Sequence, residues 1–156
     1  MHLSGETEIA AARQRVWDTL TDPHQVAACV PGRPEVTVID ERHLQVKAPV
    51  GNAWFRTTMV IDIQLTDLEA PERAMATAGG AVMGGAVHAT GGVELDELGP
   101  ALTRVAWTAD LTLGGMLARF AAMAEGPAHD GVNKTLACLK TKLEAAEAPD
   151  GAASEA

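Results

Sequence analysis

The chain has 156 residues, a formal net charge of −9 and an apolar fraction of 47%, values that favour one globular domain with a sizeable core. The excess of acid excludes a binder of the nucleic-acid backbone, which needs clustered Lys and Arg, and disfavours unassisted adsorption to an anionic membrane. Aromatic residues make up only 3%, with no Tyr, so Leu, Val, Ile, Met and Ala must fill the interior, and a core built that way can leave a cavity.

The first run, residues 3–10, alternates as a half-exposed strand, with Leu3, Gly5, Thr7 and Ile9 on one face. Residues 12–21 read as a helix, with Val16, Trp17 and Leu20 at helical spacing and Asp22-Pro23 as its stop. A second short helix over residues 23–29 starts on Pro23 and ends before Pro31-Gly32. The period then switches to two. Strands are expected at 35–40, 43–50, 53–68, 73–78, 86–98 and 102–113, separated by Asp40-Glu41, Gly51-Asn52, Pro71-Glu72, a Gly-rich hairpin and Gly99-Pro100. The strand over 53–68 is the most regular, with Phe55, Thr57, Met59, Ile61, Ile63 and Leu65 on one face.

Such a meander has an apolar face that must be covered. The cover is expected from residue 116 onward, where Leu117, Ala121, Ala124, Ala128, Val132, Leu136, Leu139 and Leu143 form one helical stripe. Gly126-Pro127 interrupts it, which predicts a kink or two helices in series. The expected architecture is α+β: a curved antiparallel sheet of six to seven strands around a long C-terminal helix, with two short helices after the first strand. Residues 1–147 form the single domain and 148–156 a flexible acidic tail.

Catalytic and metal signatures are absent from the pattern. The five histidines have no metal-pair spacing, and neither Cys29 nor Cys138 has a close His or Cys neighbour. Ser4 and Ser154 are the only serines and neither sits in a Gly-x-Ser-x-Gly elbow. The glycines from Gly79 to Gly85 lack the Gly-Lys-Ser/Thr ending of a phosphate loop and fall between antiparallel strands. The stretch 74–93 contains no Leu, Ile or Phe and includes Thr77, His88 and Thr90, a poor membrane span. Residues 1–6 show no basic and apolar leader, so a cytoplasmic protein with two reduced, buried thiols is expected.

Several motifs, in order, resemble those of the G-subunit family of carbon monoxide dehydrogenase, within the START-like superfamily. They are Leu3-Ser4-Gly5-Glu6 with Ile9-Ala10-Ala11; Arg13-Gln14-Arg15-Val16-Trp17-Asp18 with Leu20 and Asp22-Pro23; Ala28-Cys29-Val30-Pro31-Gly32; Val46-Lys47 with Val50-Gly51; and Gly114-Gly115-Met116-Leu117-Ala118. The turn at Ala28–Gly32 is the most specific of them. The resemblance runs from about Leu3 to Leu143. It implies a helix-grip fold with a cavity between sheet and long helix. It also implies association with a molybdenum-containing hydroxylase, for assembly, membrane recruitment or quinone delivery.

The expected function is therefore non-enzymatic binding of a hydrophobic, quinone- or lipid-like molecule, with no cofactor, no metal and no nucleic acid. The expected lining is Phe55, Met59, Ile61, Ile63, Met83, Trp107, Ala109, Leu111, Met116, Phe120 and Met123. A filled core without a cavity is the competing expectation from the residues alone. Two other functions stay open: an assembly or docking partner in which the cavity is incidental, and a cyclase- or aromatase-like enzyme. The last requires acid–base groups inside the cavity, for which His88 and Asp110 are the candidates.

Overall fold

A computed structural model describes residues 1–51, 56–82 and 84–147. Phe55, Met83, Asn52 of the expected turn and the tail 148–156 lie outside the described residues. The strands are β1 (His2–Ile9), β2 (Glu35–Asp40), β3 (His43–Gly51), β4 (Arg56–Glu69), β5 (Arg73–Val82), β6 (Gly85–Gly99) and β7 (Leu102–Gly115). The helices are α1 (Arg13–Leu20), α2 (Pro23–Cys29) and α3 (Ala121–Glu147), the last preceded by a tight 3-10 turn over Met116–Phe120. The strands form one antiparallel sheet in the order β1-β7-β6-β5-β4-β3-β2. β1 and β2, joined by the two short helices, thus lie at opposite edges, and α1 and α2 carry the chain between them.

The register fixes what faces inward. Ile61 lies between Val46 and Gly80, and Ile63 between Leu44 and Ala78. Gly80 pairs with Val87 and Ala78 with Ala89, while Val93 pairs with Trp107, which in turn pairs with Gly5. Because successive side chains alternate, the apolar phase of every strand reaches the same concave face. Trp107 lies over Gly5, where a Cβ would come within 2.7 Å of the indole Nε1. Only glycine leaves room for the ring.

The core is concentrated at the β1–β7 side. Ile9, Val16, Trp17, Leu95, Val105 and Leu143 form one buried cluster, and Leu3, Trp107 and Leu136 a second. Burying side chains of this size contributes roughly 1.5–3 kcal/mol each. Thr103, fully buried, donates its hydroxyl to the Ala11 carbonyl at 2.8 Å and so closes the β1–α1 junction. Helix α3 is fastened to the end of β1: Glu144 accepts from the Ala10 N–H at 2.9 Å, and Lys140 reaches the Glu8 carbonyl at 2.6 Å.

Three expectations are corrected. Cys29 and Cys138 are joined in a disulfide, with Cα atoms 5.6 Å apart, rather than left as thiols; the end of α2 and the middle of α3 meet across the fold, a proximity that 109 intervening positions conceal. Of the two outcomes expected at Gly126-Pro127, a kink or two helices in series, the second is not found: one helix runs from Ala121 to Glu147 with Pro127 inside it. The carbonyl the proline deprives of a partner, that of Met123, lies on an exposed turn where water can satisfy it. Finally, the glycines are less a loop than strand: Gly79 and Gly80 continue β5, paired with His88 and Val87.

Candidate functional site: an apolar cavity under the short helices

Helix α2 begins on a strong local signal. Asp22 caps it, accepting from the backbone N–H of His24 at 3.0 Å and of Gln25 at 3.4 Å, and Pro23 occupies the first turn. The Gln25 side-chain amide adds a third bond at 2.9 Å. That bond is the main reason the Asp22 carboxyl is held below its ordinary value; burial opposes it, and the two backbone donors help. The helix ends at Val30, and the chain reverses through Gly32 and Arg33, both with positive φ (88° and 45°). The turn brings Val30 and Pro34 to face the sheet.

Between this corner and the concave face of β2–β4 lies a cavity of about 490 Å³. Leu20, Thr21, Pro23, Val26, Ala27, Val30 and Pro34 form one wall. The opposite wall carries Val36 and Val38 of β2, Leu44, Val46 and Ala48 of β3, and Ile61, Ile63, Leu65 and Leu68 of β4, with Ala74 of β5 behind them. Asp40 and Glu41 complete the lining at the β2–β3 turn. Sixteen of these nineteen residues are apolar, so the space suits a hydrophobic body and offers little to a polar one. Leu20, Leu68 and Ala74 also pack against the core cluster, and so form the floor that separates cavity from core.

Of the residues expected to line a cavity, Ile61 and Ile63 do so. Trp107 is buried instead against Leu3 and Leu136, its ring 5.6 Å from that of His129 on α3, and Ala109 packs beside it. Met59 and Leu111 are half-buried on the concave face but outside the cavity wall. Met116, Phe120 and Met123 point to solvent, with 59%, 47% and 73% of their surface exposed. Among the described residues no part of α3 lines the space. The rest of the wall was not anticipated: the end of α1, α2 and its following turn, β2, β3 and the turn between them, Leu65 and Leu68 of β4, and Ala74 of β5; the inward phase of Leu44, Val46 and Ala48 was readable, and so was the turn at Ala28–Gly32, but nothing local said that they meet.

A second, polar depression of about 340 Å³ lies at the β4–β5 turn among Arg13, Glu69, Glu72, Arg73, Glu94 and Asp96. Its charges hold one another: Arg73 pairs with Glu69 and, at 3.2 Å, with Asp67, and Arg13 stands 4.0 Å from Glu72. Among the described residues no group of three His, Cys, Asp or Glu is placed to hold a metal ion, and no helix is long and apolar enough to cross a membrane.

The family model for the G subunit of carbon monoxide dehydrogenase (CoxG) matches residues 5–144. The chain belongs to that family. The match spans every element that builds the cavity, including the turn after α2. No curated protein matches the sequence. Among solved structures, this CoxG family member is similar to a conserved protein from Geobacillus kaustophilus, with a TM-score of 0.81 at 21% identity over 92% of this chain and 95% of that one. The Zhui aromatase/cyclase from Streptomyces sp. R1128 has a TM-score of 0.61 at 17% identity, covering 96% and 94%. The di-domain aromatase/cyclase BexL of the BE-7585A biosynthetic pathway has a TM-score of 0.71 at 14% identity, with 96% of this chain covering 48% of that one. These likenesses establish the helix-grip fold, and at such identities they carry no activity with them.

Proposed function

We propose that this protein is a non-enzymatic binding subunit that holds a quinone- or lipid-like molecule in the cavity between α1–α2 and β2–β4, in the service of a carbon monoxide dehydrogenase-type molybdenum hydroxylase. The observation that carries the reading is the cavity itself. Its volume of about 490 Å³ lies within the range of small-molecule sites, roughly 300–1,000 Å³. Its lining is almost wholly aliphatic, so burial of an apolar ligand supplies the affinity. Membership of the CoxG family supports the accessory role.

A cyclase would need acid–base groups within reach of the ligand. His88 and Asp110 are both exposed, on the phase of β6 and β7 opposite to Val87 and Ala109, and Asp110 is engaged with His2 at 2.7 Å. Their placement takes both candidates out of the cavity; the two carboxylates that do line it, Asp40 and Glu41, are exposed at the β2–β3 turn and have no histidine beside them in the lining among the described residues, which favours the binding reading.

The test is native purification, solvent extraction and mass spectrometry of what is bound. A stoichiometric quinone or lipid, held less well by an Ile63→Phe variant whose larger, rigid ring narrows the cavity, is the expected result. A protein that is empty as isolated, and still empty after incubation with menaquinone, fatty alcohols and fatty acids, would overturn the carrier reading and leave the docking role.

A further inference from the structure

The aliphatic wall defines the body of the ligand; the rim defines its head. The cavity's polar lining consists of Thr21, Asp40 and Glu41. The Thr21 hydroxyl already donates its proton to the Trp17 carbonyl at 2.7 Å, so it presents acceptor lone pairs to anything nearby. Asp40 accepts from the Arg42 N–H at 2.9 Å and thereby stays fixed at the β2–β3 turn. Glu41 adds a second exposed carboxylate beside it. No Lys, Arg or His is in the lining among the described residues. A ligand entering here meets acceptors and negative charge, with no side-chain donor to receive an anion.

We propose that the cavity selects ligands with an uncharged head and rejects anionic amphiphiles such as fatty acids and phosphorylated lipids. The inference rests on the carrier reading and narrows its substrate class. A carboxylate drawn to the rim loses hydration without gaining a cation, and it meets two like charges. At a solvent-washed, salt-screened rim that repulsion amounts to roughly tenfold in Kd.

The experiment uses the full chain and a tail-matched pair, 1-dodecanol and dodecanoate, competing against the neutral fluorescent probe N-phenyl-1-naphthylamine at pH 8 and below micelle concentration. Dodecanol should displace the probe at about one-tenth of the dodecanoate concentration or less. The Asp40→Asn, Glu41→Gln variant removes both charges, and the amide oxygen of its new asparagine still accepts from the turn's N–H. It should leave dodecanol unchanged and draw the ratio toward that of two heads differing only in hydration. Equal displacement by the two ligands in the wild type, or a ratio that the double variant does not move, overturns the selection while the carrier reading stands. If neither the probe nor dodecanol binds at all, the carrier reading falls and takes the selection with it.

Discussion

Replacing Cys29 and Cys138 together by alanine removes a covalent link across 109 positions of chain. In the chain-entropy account, a closed loop of that length costs the denatured ensemble about 5 kcal/mol of freedom, and denatured-state structure trims the measured value to roughly 3–5 kcal/mol. That is a large part of the roughly 5–15 kcal/mol that holds an ordinary domain together. Little else should change, since Cys29 is small and already shielded, with 7% of its surface exposed. Urea unfolding in an oxidising buffer measures the loss. The variant's midpoint should fall to that of the wild type under a dithiol reductant, and its m-value should rise, because an uncrosslinked denatured chain exposes more surface. The link also pins α2, which carries Pro23, Val26 and Ala27 into the cavity wall. The variant should therefore release a bound neutral probe faster in a stopped-flow dilution. Two thiols that alkylate in the untreated protein, or a variant with the wild-type midpoint, would refute the reasoning.

Gly5→Ala places a Cβ 2.7 Å from the Trp107 indole nitrogen; it should cost about 1–3 kcal/mol through overpacking and shift the tryptophan emission, read by thermal melting and fluorescence. Thr103→Val removes the 2.8 Å bond to the Ala11 carbonyl and leaves that acceptor buried, for a loss of about 1–3 kcal/mol in the same melt. Asp22→Ala strips the cap of α2, at a cost of about 1 kcal/mol at pH 7. Because the folded Asp22 carboxyl sits below its ordinary value, its contribution is complete above that value and disappears as the pH falls through the folded one. The stability gap between wild type and variant should stay level from neutral pH down to about pH 5 and close in stronger acid; a gap that widened in acid would contradict the assignment.

The elements were legible because their signals are local. Asp22-Pro23, Asp40-Glu41 and Gly99-Pro100 each end one element and start another, and Met59, Ile61, Ile63 and Leu65 mark one phase of β4 up to the bulge beyond Leu65. The family turn at Ala28–Gly32 was likewise readable as a motif. What pairs with what was not. An apolar phase on a strand says that something covers it, and leaves open whether the cover is α2 or α3. The stripe on α3 predicted burial along its whole length. Among its described residues the stripe is half-buried at Leu117, Ala128 and Val132 and buried at Leu136, Leu139 and Leu143; what the pattern did not show is that Met116 and Phe120 of the 3-10 turn and Met123 of α3, off that stripe, stand in solvent rather than in a cavity wall. The disulfide had no local signal either, since its two halves are brought together only when α2 and α3 meet.

The position of the cavity follows from where bulk is spent. The two tryptophans among the described residues, Trp17 and Trp107, both go to the β1–β7 side, where they meet Leu136 and Leu143 of α3 and close the core. On the β2–β4 side the facing residues are Val, Leu, Ile, Ala and Pro. Between the two wings, β5 and β6 turn Ala76, Ala78, Gly80, Ala89 and Gly91 to the concave face, which are too small to bridge them. A sheet of this width with one large helix is covered on one side, and the end of α1 with the seven-residue helix α2 is left for the other. Aliphatic side chains on both walls stop short of contact, and what remains is a space shaped by omission rather than by any polar group. The same omission explains why the sequence offers no catalytic motif, while its aromatic shortage already pointed toward a void.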